Sequence, residues 1–134
     1  MVQDLFKTIA DGSCLALCLA KIVEPEGTLN SQLMIDAIKG WSKDYVEDDG
    51  YVRFPELYMN LIDPQKRNWK YRIVNIKSLA DIPEGKTFPV LYSIDGKNGH
   101  FVLANNKGIV WNSLENSKNV KLGKPISYRE VEYV

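Results

Sequence analysis

The sequence predicts an α+β fold: helices in the first half, an antiparallel sheet in the second. Up to about residue 70 the apolar residues recur at three-and-four spacing or in one compact apolar run, which is helical patterning. From Tyr71 onward they come in short β-rich runs separated by Gly, Asn and Asp turns. Helix and strand do not alternate as a parallel sheet would require. At 134 residues the chain is expected to be one domain, with a helical part at about 1–70 and a sheet part at about 71–134.

Asp4 to Thr8 reads as a short lead-in. Asp11 and Ser13 are both suited to cap a helix, because their side-chain oxygens can accept orphan first-turn N–H groups. That helix carries Leu15, Leu17, Cys18, Leu19 and Ile22, leaving almost no polar face, so it should be central. Glu24-Pro25-Glu26-Gly27 stops it. Asn30 or Ser31 opens a second helix to about Trp41, with Leu33, Met34, Ala37, Ile38 and Trp41 as its stripe. The acidic turn Glu47-Asp48-Asp49-Gly50 lacks the alternating ligands of a calcium loop and reads as a solvated turn. Pro55 to Leu61 is a third short helix, with Leu57, Tyr58 and Leu61 expected inward. Strands follow at Tyr71–Ile76, Phe88–Ile94, His100–Ala104 and Ile109–Ser113, with a turn of helix at Leu79–Pro83. A hairpin-like stretch at Val120–Leu122 and a run from Tyr128 to Val134 close the chain.

Composition narrows the function. Lys+Arg and Asp+Glu are equal at 17 each, so no overall charge draws the chain to nucleic acid or an anionic membrane. Lys66-Arg67, near Lys70 and Arg72, is the only basic cluster and reads as a solvated loop and strand edge. No stretch has the length of a membrane span and the N-terminus lacks a signal-peptide pattern, so a cytoplasmic location is expected. Two cysteines and one histidine make a structural zinc site an unfavourable reading, and no metal or cofactor is expected.

The chemistry concentrates in three residues. Cys14 stands on the first turn of an apolar helix, where unpaired N–H groups and the dipole favour thiolate over thiol. His100, the only histidine, begins a strand just after a glycine and can be presented as a base. Asn112, near the end of the next strand, can accept the His100 ring N–H through its amide oxygen, with Trp111 as a shield. The backbone N–H of Cys14 is one oxyanion donor. Taken singly, each has a plainer reading: a small core cysteine, a structural histidine, a turn asparagine. Cys18, one turn deeper, is core. Only the order Cys–His–Asn taken with the family motifs described next, around two of them, favours nucleophilic catalysis.

Cys14-Leu15-Ala16-Leu17-Cys18-Leu19-Ala20-Lys21-Ile22 resembles the nucleophile helix of the papain-like cysteine peptidase clan. The form it is most similar to is that of the double-glycine leader peptidases of bacteriocin exporters and their stand-alone relatives. Gly99-His100-Phe101-Val102-Leu103 is similar to their Gly-His-Phe-Val motif, and Val110-Trp111-Asn112-Ser113 falls where they carry an aliphatic-aromatic-Asp-Pro. The resemblance covers Asp11–Ile22 and Phe88–Ser113. It implies a papain-like fold, with Cys14, His100 and Asn112 as nucleophile, base and orienter, and a peptide or protein substrate. Leu15 stands where the family has glycine, and Thr8 near its oxyanion glutamine. That leaves Gln3, Asp11 and Ser13 as candidates for the second oxyanion donor. A catalytically inactive papain-like binding module, such as a phage or mobile-element accessory protein, is the alternative reading.

Overall fold

The structure, a computed structural model, describes residues 14–114 and 117–134. The chain divides into two compact units, Met1–Tyr71 with Glu132–Val134, and Arg72–Val131. Among the described residues it is mixed α+β, helices first and a five-stranded antiparallel sheet after them. The lead-in at Asp4–Thr8 lies outside the described residues.

The helical unit holds α1 (Cys14–Val23), α2 (Gln32–Ser42) and α3 (Pro55–Ile62). In α1 the run Ala16 to Ala20 is completely buried, as its lack of a polar face requires. The Tyr58 hydroxyl, on α3, donates to the Ala16 carbonyl at 3.1 Å, so this phenol is satisfied where water cannot reach. Ser31 occupies the N-cap position of α2, but its hydroxyl bonds Thr28 Oγ1 instead of the helix amides. Leu33, Met34 and Ala37 are buried, whereas Trp41 turns outward and donates its Nε1–H to Asp48. In α3 the buried residues are Tyr58, Met59 and Ile62, and Leu57 is 48 % exposed. The helix starts at Pro55, and its inward phase of i, i+1, i+4 leaves Leu57 on the outer side. Gly40 permits the close approach of α2 and α3, since a Cβ there would enter the Tyr58 ring.

Two carboxylates in this unit are buried with opposite consequences. Asp36 accepts one hydrogen bond, from Gln32 Nε2, and its Oδ2 has no partner among the described residues. Burial pushes its carboxyl up to about 6, so its ionisation works against the fold as pH rises through that value. Asp63 is surrounded by donors: Arg67 Nε and Trp69 Nε1 each lie 2.7 Å from Oδ2, and Gln65 N lies 2.9 Å from Oδ1. Burial alone would raise its pKa, but these donors outweigh it and hold the carboxyl at about 2. Arg67 in turn lies over the rings of Trp69 and Tyr133. Arg67 is therefore a packed partner of Asp63, where the sequence reads as a solvated basic loop.

The sheet runs in the order β1 (Trp69–Asn75), β5 (Lys124–Tyr133), β2 (Phe88–Ser93), β3 (Gly99–Asn105), β4 (Gly108–Trp111). On the edge strand β1, Asn60 Oδ1 accepts the Trp69 N–H and Glu56 Oε2 accepts the Tyr71 N–H, so side chains of α3 occupy donors that an added strand would use. Val120–Leu122 is not a hairpin. It lies in a short helix, α4 (Lys118–Leu122), which follows Ser117 and ends at Gly123. A Cβ on Gly123 would meet the carbonyls of Asn119 and Ser93, so glycine lets α4 close onto β2.

Candidate functional site

The β2–β3 hairpin positions His100. Its register pairs Phe88 with Ala104, Val90 with Val102 and Tyr92 with His100. Alternation puts these six side chains on one face, and all six are buried. The turn that closes the hairpin is fixed by Ser93, whose hydroxyl donates to the Asn98 carbonyl at 2.6 Å and accepts the Gly96 N–H at 2.9 Å. Gly99, opposite Ser93, is the first residue of β3, and His100 is the second. A Cβ on Gly99 would run into the Tyr92 carbonyl, so the residue before the histidine must be glycine for this pairing to form.

Asn112 directly follows β4. Trp111 pairs with Leu103, so the next residue, Asn112, points to the face that carries His100. It stands diagonal to His100 across the β3–β4 pair, within reach of a long side chain. Asn112 Oδ1 lies 2.7 Å from His100 Nε2. The same oxygen accepts the backbone N–H of Leu114 at 3.0 Å. A backbone N–H only donates, which fixes that amide atom as oxygen, and an amide oxygen only accepts. His100 therefore carries its proton on Nε2, and Nδ1 of the neutral ring is the basic nitrogen. The ring is 5 % exposed; burial lowers its pKa below the usual histidine value, and the Asn112 bond offsets part of that. Burial thus favours the neutral ring. Alternation directs Trp111 to the opposite face, so it is not the shield of this bond.

Cys14 is the N-terminal residue of α1 in the helical unit and is partly exposed. Cys18 is completely buried, and burial with the neighbouring Cys14 pushes its thiol well above the ordinary range. The two cysteines thus differ in access. The structure brings His100 and Asn112 together within the sheet unit. The oxyanion candidates Gln3, Asp11 and Ser13 lie outside the described residues, as does Thr8.

One contributor escapes a reading of the sequence: the Leu114 N–H that pins the amide. No helix among the described residues is long and apolar enough to cross a membrane. No group of three or more His, Cys, Asp or Glu among them is placed to hold a metal ion. Comparison with protein-family models, with curated proteins and with solved structures returns no match.

Proposed function

We propose that this chain is a papain-like cysteine hydrolase that cleaves peptide or amide bonds. Cys14 is its nucleophile, His100 its base and acid, and Asn112 the residue that orients the imidazole. The observation that carries the reading is the Nε2–H···Oδ1 bond at 2.7 Å, because it assigns the basic lone pair of His100 to Nδ1. Cys14 at the N-terminal end of α1, where the helix favours a thiolate, is the second support.

In this reaction the Cys14 thiol proton passes to His100 Nδ1 while Sγ bonds to the carbonyl carbon. The C–N bond then breaks, and the leaving amine takes the proton from Nδ1. A water gives a proton to Nδ1 as its oxygen bonds to the thioester carbon. The C–S bond breaks and the proton returns to the sulfur. Asn112 keeps Nε2 protonated throughout, so that each transfer uses the same ring nitrogen.

Alkylation by iodoacetamide at pH 7, mapped by mass spectrometry, tests the pairing. Cys14 is expected to react stoichiometrically while buried Cys18 stays unmodified. In His100→Ala the Cys14 rate is expected to fall by about tenfold or more, as the thiol returns to its ordinary ionisation. A rate unchanged by His100→Ala would favour the inactive binding module.

A further inference from the structure

We propose that an apolar groove on the helical unit receives α4 from the sheet unit of a second copy of this chain, so that copies associate head to tail. Phe54, Pro55 and Leu57 line the groove together with Arg53, Glu56 and Tyr71, and its volume is about 270 Å³. Leu57 is the leucine that α3 leaves on its outer side, and Phe54 is 45 % exposed. Arg53 also borders a second hollow of about 190 Å³, which Asp44, Glu47 and Asp48 line as well. Both hollows lie within the helical unit. An apolar groove with an acidic neighbour fits an apolar side chain flanked by cations.

The sheet unit of the same chain carries that combination. Leu122 on α4 is 73 % exposed, more than any other large apolar side chain of this unit among the described residues. Lys118, Lys121 and Leu122 stand at positions i, i+3 and i+4 of α4, which is one helix face, and Lys124 follows at the start of β5. The three lysines are exposed, and none of them pairs with an acidic side chain among the described residues. Between Asp44 and Glu56, by contrast, five carboxylates accompany one arginine, and Arg53 is already 3.3 Å from Glu47. The same division runs through the whole chain. Its formal charge is zero, yet the helical unit has twelve acidic residues against eight basic ones, or −4, and the sheet unit has nine basic against five acidic, or +4. Like patches of two copies repel and unlike patches attract, so charge favours the groove of one copy against α4 of the next over a patch paired with itself. This contact is independent of the hydrolase reading.

Sedimentation velocity over a concentration series tests it. At pH 7 and about 0.02 M salt, the weight-average mass of the wild-type protein is expected to rise with concentration above that of one chain, and at about 0.5 M salt to return toward it. Leu57→Glu and Leu122→Glu, both at exposed positions, are each expected to remain single chains while unfolding in urea as the wild type does. Mixed in equal amounts they are expected to form a dimer, because the first keeps α4 intact and the second keeps the groove. Lys121→Glu alters no apolar contact and is expected to weaken association about fivefold. Wild-type chains that stay single at low salt would overturn the proposal. Association that neither salt nor Lys121→Glu weakens, or a mixture of the two Glu variants without dimer, would overturn it as well.

Discussion

Asp63→Asn is expected to cost the fold roughly 3–5 kcal/mol, the range for breaking a buried, hydrogen-bonded ion pair. Both carboxylate oxygens of Asp63 accept from donors, including two nitrogens of the Arg67 guanidinium, the Trp69 indole and the amides of Gln65 and Arg67. Whichever way an asparagine turned, its NH2 would face N–H groups. The Arg67 charge would also lose its partner, and with it the reason for the guanidinium to lie over Trp69 and Tyr133. Urea unfolding at pH 7 measures the loss, and a change under about 1 kcal/mol would show that the cluster is dispensable. The pH dependence has a definite sign. With a native pKa held at about 2, below its value in the unfolded chain, Asp63 stabilises above the unfolded pKa. That contribution fades as pH falls toward 2, so the asparagine variant should lack this part of the acid limb.

On the proposed hydrolase mechanism, Asn112→Ala is expected to reduce turnover by up to about 10⁴-fold while leaving the fold largely intact, the scale of loss when the wrong tautomer is left. The alanine removes the acceptor of the Nε2–H. A neutral imidazole without that acceptor is free to carry its proton on Nδ1, and the basic lone pair then moves to the nitrogen facing away from the reaction. Loss of the bond also lets burial depress the His100 pKa further, since the Asn112 contact is what opposes it. Steady-state rates, together with ¹⁵N shifts of the single imidazole, separate a tautomer change from simple unfolding. Full activity in Asn112→Ala would remove the asparagine from the mechanism.

The sequence carried the layout further than the details. An all-apolar run has only one way to be satisfied, and α1 is buried from Ala16 to Ala20. The change from helical spacing to short strands at Tyr71 falls close to the start of β1 at Trp69. Short elements were less legible. Val120–Leu122 is too brief for periodicity to choose between strand and helix, and what decides it is Gly123, which lets α4 fold down onto β2. Leu57 and Trp41 fit an apolar stripe by spacing, but the phase of a helix depends on where it begins and on the neighbouring helix. Asp63 gave no signal, because its partner Arg67 reads as a surface charge and Tyr133, which completes the stack, is distant in sequence. The His100–Asn112 bond was legible because two consecutive antiparallel strands fix which side chains meet.

The proposed action of His100 on the Cys14 thiol is accessible to NMR titration through the single histidine. In Cys14→Ala the imidazole should titrate below the usual histidine value, as burial dictates. With the thiol present, a thiolate partner stabilises the imidazolium, and the His100 midpoint should be higher by about one pH unit or more. Superimposable His100 titration curves in the wild-type protein and in Cys14→Ala would contradict the proposed action of His100 on the thiol.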